Sequence, residues 1–163
     1  MTIGLKDDAN KIVNRYAKWT AGAGLIPVPL LDIATISSLQ IKMLADLAKL
    51  YNLSFGKERA NILVSSLIGS VLPSVLASTS LAAVGTIIKT IPVLGTVVGM
   101  AALPGFAYAA TKAVGAVFIA HFEAGGTLLD FDAEKTREYF RKEFEAEATS
   151  KDLPVSGSGE AAA

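Results

Sequence analysis

The chain has no cysteine, a single histidine, and few aromatic residues, 7% in all. Without cysteine, disulfide frameworks, thiolate metal sites, a cysteine nucleophile and thiol redox chemistry are excluded together. The lone histidine, His121, has Glu123 as its nearest acid, and two residues along a helix that side chain points elsewhere. Neither a metal pair nor a histidine–carboxylate base is built locally. Net charge is absent too: 15 Lys and Arg balance 15 Asp and Glu, which argues against nucleic acid as a partner. "GTVVGMAALPG" is glycine-rich but lacks the Gly-Lys-Ser/Thr ending and a preceding strand, so no phosphate-binding loop and no cofactor are expected. Together these gaps point away from an enzyme.

Charge itself is the scarcest commodity. Between Arg59 and Lys112 the only charged residue is Lys89, and charged residues make up 18% of the chain against about 25% in an ordinary soluble domain. Residues 60–88 and 90–111 are uncharged throughout, each run at or above the ~20 residues that cross a bilayer core of about 30 Å. "IIKTIPVLG" between them, with Lys89 and Pro92, can turn a hairpin whose ends lie on one side of a membrane. Basic residues cluster in 6–18, 42–59 and 135–151, on the near side of such a hairpin, as the positive-inside bias asks. Against insertion stand eight Ser or Thr, Asn61 and Pro73 within 60–88, whose thirteen Leu, Ile and Val supply only about −4 to −8 kcal/mol on the insertion scale.

The remaining patterns are helical. Leu5, Ala9, Ile12, Val13 and Tyr16 form one stripe of an amphipathic helix over 5–20, and Ile33, Ile36, Gln40, Met43, Leu44 and Leu47 form another that runs to Tyr51. "AGAGLIPVPLLD" separates them, with its prolines extending the chain and Asp32 capping the second helix. "YNLSFGKE" closes that helix. A later helix stops at Gly125–Gly126, and a charged helix follows with Asp130 or Asp132 as N-cap and Phe140 and Phe144 on one edge. The fold class expected is all-α, about five helices with a central apolar, Ala/Gly/Ser-rich helical hairpin broken at Pro73 and Pro104. Residues 1–150 form one membrane-associated helical domain, and 151–163, ending "PVSGSGEAAA", a flexible polar tail or linker. The N-terminus carries acids early and has no apolar core before a cleavage site, so it does not read as a secretory signal.

Small residues recur four apart: Ser66, Ser70, Ser74, Ser78 and Ala82; Gly95 and Gly99; Ala101, Gly105, Ala109 and Ala113. Such rows let helix backbones approach closely, in membrane bundles and in ordinary helical cores alike. The uncharged Ser/Gly face of 64–78 also resembles a lipid-packing sensor, and Ser66, Ser70, Ser74 and Ser78 could line a pore. We single out Ser66, Gly69, Ser70, Ser74, Gly95, Gly99 and Gly105 as helix-contact residues, and Tyr16 and Trp19 as membrane-interface residues.

"IPVPLLDIATISSLQIKMLADLAKLYN", the Ala/Gly/Ser-rich hairpin and "HFEAGGTLLDFDAEKTREYF" resemble the YcjF-like bacterial domain of unknown function, over roughly residues 10–145. That family's domain occurs alone or attached to Era-like GTPase domains. The resemblance implies a helical module at the bacterial inner membrane or its cytoplasmic face, both termini cytoplasmic, working beside a GTPase and carrying no catalytic residues. This chain has no GTPase portion. The expected function is a non-enzymatic module that inserts or docks its hairpin in lipid and self-associates as a homo-oligomer. The alternative is a soluble adaptor with the hairpin as buried core and the charged C-terminal helix as partner face.

Overall fold

A computed structural model describes residues 2–23, 29–78 and 92–150, with side-chain surroundings for 4–23, 35–71, 73 and 104–150. Among the described residues there are five helices and no strand. The first amphipathic stripe becomes α1 (Thr2–Ala23), which buries Ala9, Val13, Tyr16, Ala17, Thr20 and Ala21. The second becomes α2 (Pro29–Leu50), burying Ile36, Gln40, Met43, Leu44, Leu47 and Ala48. Asp32 does not cap this helix as expected: the helix begins at Pro29 and Asp32 lies in its first turn. Proline opens a helix readily because the amide it lacks has no partner there. Asn52 ends α2 at φ 57°, where its amide reaches Lys49 O at 3.1 Å and that of Leu53 reaches Ala48 O at 2.7 Å. This is the Schellman pattern, with asparagine in the left-handed position usually given to glycine.

Helix α3 (Lys57–Ser78) runs through Pro73, and α4 (Pro92–Glu123) runs through Pro104, so neither proline breaks its helix. Pro73 removes one hydrogen bond to the Gly69 carbonyl; both residues are exposed, so water can take the freed oxygen, and glycine offers little for the ring to strike. α4 stops where the amides of Gly125 and Gly126 return to Phe122 O and His121 O, Gly125 taking φ 86°. The last helix, α5 (Ala133–Ala148), is capped by Asp132, whose carboxylate accepts from the amides of Glu134 and Lys135. Of the two candidate caps, Asp132 does the work.

Helix α4 is apolar on every side, and a helix of that kind has to be covered all round. Over its second half it is: Ala107, Tyr108, Ala110, Val114, Val117, Phe118 and Phe122 are all buried, with α1 and α5 packed along it most closely and α2 and α3 completing the wall. α1, α2, α3 and α5 form an open ring in which α1 and α5 do not touch among the described residues. Lys112 of α4 closes the gap, with its Nζ 2.7 Å from Asn14 Oδ1 of α1 and 3.7 Å from Glu147 Oε1 of α5. One of the small-residue rows is spent here: Ala109 and Ala113 are buried inside this one chain. The closest approach is between Gly115 and Val13, where a Cβ on Gly115 would overlap the valine side chain.

The turn joining α4 to α5 is clasped from two sides. Arg59 of α3 donates from Nε to Leu128 O at 3.2 Å and from its terminal nitrogen to Leu129 O at 3.2 Å and Phe131 O at 3.4 Å. Phe131 stacks on Phe118 with ring centres 4.3 Å apart. Asp130 accepts from both the amide and the hydroxyl of Thr127 at 2.6 Å, and His121 Nε2 lies 2.9 Å from Thr127 O and 3.5 Å from Asp130 Oδ1. Those Thr127 hydrogen bonds, with a smaller pull from His121, hold the Asp130 carboxyl down at about 2.

Two tests follow from this packing. Gly115→Leu is expected to destabilise the fold by about 2 kcal/mol or more through overpacking against Val13, read as a lowered denaturant midpoint. Because the Asp130 pKa is depressed in the folded state, its contribution is complete above about 3.8 and is lost as pH falls through about 2. Asp130→Asn is expected to flatten that part of the acid unfolding curve and to lower stability above pH 5 by an amount that does not change with pH.

Candidate functional site

The stretch long and apolar enough to cross a membrane, among the described residues, is Pro104–Glu123, and 67% of it is buried inside the protein. It overlaps the end of the second run, 90–111, and continues twelve residues beyond it. Its Lys112 is tied to two other helices, so carrying this stretch through a bilayer would mean dismantling the bundle. What remains of α4 is its first part, Pro92 to Leu103, helical and without a single charged residue. We call it the arm.

Three helices meet at a buried polar junction around Thr111. Thr20, Gln40 and Thr111 are fully buried. Thr111 Oγ1 donates to Ala107 O at 2.7 Å, accepts from Gln40 Nε2 at 3.2 Å, and lies 3.0 Å from Thr20 Oγ1, which also reaches Ala17 O at 2.9 Å. Gln40 Oε1 has no hydrogen-bond partner among the described residues. Three helices are thereby held in one register, since sliding any of them would strand more than one buried polar group, at about 1–3 kcal/mol each. Gln40 stands in the apolar stripe of α2 in the sequence, the one signal that it points inward.

Beside this junction, Tyr16 is buried, 6% exposed, and its hydroxyl donates to Asp46 at 2.8 Å. Burial first, and the Asp46 carboxylate second, push the phenol above its usual range. Arg15 pairs with the same carboxylate at 3.0 Å and lies over the rings of Tyr16 and Trp19, 5.3 and 5.5 Å from their centres. Trp19 itself is 51% exposed and meets Tyr16 edge-on. Of the two residues expected at a membrane interface, Tyr16 is thus engaged inside the protein and Trp19 reaches outward.

The helix-contact candidates fall into three groups. Ser66 and Gly69 are exposed and Ser70 half-buried, its hydroxyl donating to Leu67 O at 2.6 Å. They share one uncharged outer strip of α3 with exposed Ile62, Ser65 and Pro73, while Leu63, Val64, Leu67 and Val71 fill the core behind. Gly105 is half-buried on α4. Ser74, Gly95 and Gly99 lie on helical backbone, and their surroundings fall outside the described residues, as do Ser78 and Ala101; Ala82 and the tail 151–163 fall outside altogether.

No arrangement for catalysis stands out among the described residues. No three of His, Asp and Glu are grouped to hold a metal. Two shallow grooves flank α2. One, of about 440 Å³, is lined by Ser38, Ile41, Lys42, Ala45, Phe55 and Lys57, with no acid or histidine; the other, of about 460 Å³, by Ile12, Arg15, Asp46, Lys49 and Leu50. Arg59, Lys112 and Asp46 carry much of the remaining polar structure, and the sequence alone singled out none of them, since each depends on a partner far along the chain.

Comparison with known proteins adds the family. No solved structure matches the chain. It is 32% identical over 137 residues to Magnetosome membrane protein 22 of Magnetospirillum gryphiswaldense, covering 84% of this chain and 69% of that protein. The model of the family described as "Domain of unknown function (DUF697)" matches residues 3–148, nearly the whole of the described fold. The chain belongs to the DUF697 family.

Proposed function

We propose that this protein is a non-enzymatic, membrane-associated module that keeps its helical bundle in water and dips the charge-free arm into lipid. The observation that carries this reading is the composition of α4: the half from Pro104 onward is core, and Pro92 to Leu103 ahead of it is equally apolar and uncharged. Those residues measure about 18 Å as a helix, too short for a bilayer core of about 30 Å and suited to one leaflet. A hairpin of that reach leaves both termini on one side, the cytoplasmic face of a bacterial inner membrane. The similarity to a protein named as a magnetosome membrane protein supports the membrane setting.

Self-association belongs to the same reading. The outer strip of α3 with Ser66, Gly69 and Ser70, continued in sequence by Ser74, offers a second copy a smooth surface without charge. Gly95, Gly99 and Gly105 offer the same on α4. Work beside a GTPase is what the YcjF-like resemblance implies, and that resemblance is its support. A second reading, a soluble adaptor with α5 as its partner face, is favoured by the burial of two thirds of Pro104–Glu123 inside the protein.

Alkaline carbonate washing of membranes separates the two readings. The protein is expected to stay in the pellet, and Val97→Lys/Met100→Lys to release it, since each lysine costs about 3 kcal/mol in hydrocarbon. Release of the unaltered protein would favour the adaptor. Gly69→Leu tests self-association without harming the fold, because a Cβ there meets nothing within 4 Å. Trading glycine for leucine should stabilise α3 by about 0.5–1 kcal/mol while reducing the oligomer seen by light scattering; an unchanged oligomer would remove this strip from the contact.

A further inference from the structure

If the arm enters lipid, the parts of the bundle nearest to it must meet the headgroup layer, and the polar junction sets which residues those are. Thr20 and Gln40 both meet Thr111, so residues near 20 on α1, near 40 on α2 and near 111 on α4 share one level. Thr111 lies seven residues beyond Pro104, about 10 Å along the helix. Lys18, Trp19 and Lys42 therefore stand about 10–13 Å behind the start of the arm. The headgroup zone occupies roughly 5–8 Å on each side of the core, and a lysine that snorkels toward it covers the remainder.

These residues are dressed for that position. Lys18 and Lys42 are exposed, and neither makes an ion pair among the described residues. From Ala9 to Lys57 the sequence carries six basic residues against two acids, Asp32 and Asp46, and Asp46 is already satisfied by Arg15 and Tyr16. Lys42 and Lys57 stand at the groove floored by Ile41, Ala45 and Phe55, a combination of apolar floor and positive rim. Trp19, half exposed with Arg15 against its ring, has the amphipathic character of residues that settle at the water–lipid boundary.

We infer that Lys18 and Lys42, with Trp19, form a collar that binds the headgroups of anionic phospholipids where the bundle meets the membrane. The inference rests on insertion of the arm and adds to it a preference for lipid charge and a fixed orientation. Lys49 supplies the internal control: it lies on the same helix as Lys42, also exposed, but seven residues, about 10 Å, further from the arm.

Sedimentation of the full chain with vesicles of phosphatidylcholine alone, and with added phosphatidylglycerol, tests this. The anionic vesicles are expected to bind more tightly, by an excess that falls on the order of 25-fold in Lys18→Ala/Lys42→Ala, about fivefold per lysine, and that high salt abolishes. Lys49→Ala should change it little. Trp19 is the only tryptophan, so its emission reports the collar directly and should shift to the blue on anionic vesicles. Equal binding of both vesicles, a loss from Lys49→Ala as large as from Lys42→Ala, or unshifted Trp19 emission in sedimented protein would overturn the collar and leave the arm standing. Failure to sediment with either vesicle would overturn the arm and the collar together.

Discussion

Everything in this structure answers to one constraint: a long helix with no wet side. α4 carries a single basic residue before its end, Lys112, and is apolar around its whole circumference, so water must be kept from it on all sides. Over Pro104–Glu123 the other four helices do most of this. α1 comes close enough that Gly115 has no room for a side chain, and α5 brings Phe144 against Phe106, their ring centres 5.5 Å apart. The one position where the ring of helices stays open is the one where α4 has its lysine, which reaches across to both neighbours. An Ala/Gly-rich helix that looks built for lipid is, in this half, the core of a protein.

The same constraint gives the remaining half its meaning. Pro92 to Leu103 continue the composition of the buried half without its lysine, and length argues that this much helix serves one leaflet better than a full crossing. The bundle and the arm then have separate duties. The bundle supplies a rigid base, held in register by Thr20, Gln40 and Thr111 and closed at its far end by Arg59 and the Asp130 turn. In the proposed arrangement it would present Lys18, Lys42 and Trp19 to headgroups around the arm. Such a base would also hold the uncharged strip of α3 at a fixed angle to the membrane, which is the geometry that lateral assembly needs.

Much of the fold was legible in the sequence because periodicity and capping are local. The stripes of α1 and α2, the glycine stop of α4 and the Asp132 start of α5 can all be read from neighbours within a few residues. Asp32 and the two prolines were misjudged for the opposite reason. Whether a proline ends a helix depends on what can take up the freed carbonyl, and at Pro73 that is decided by an exposed Gly69. The small-residue rows were legible as packing surfaces but not as to which surface they meet. Ala109 and Ala113 meet this chain's own helices, whereas Ser66 and Gly69 face outward, and four-residue spacing is the same for both. The bond from Gln40 to Thr111, Lys112's reach to Asn14 and Arg59's grip on the Leu128–Phe131 turn involve partners 69 to 98 residues apart, beyond any local pattern.

The central claim, that one helix is divided between a water-borne core and a lipid-borne arm, can be tested along α4 itself. The chain has no cysteine, so a single spin label can be placed by Val98→Cys or by Ala120→Cys, the latter at an exposed position of the packed half. Collision of each label with oxygen and with a water-soluble nickel complex, in membrane-bound protein, reports the depth of its surroundings. The account predicts that the label at 98 lies in hydrocarbon within one leaflet, less than about 15 Å deep, while the label at 120 stays in water. Both labels in lipid would mean that Pro104–Glu123 leaves the bundle to enter the membrane; both in water would mean that the whole helix serves a soluble core.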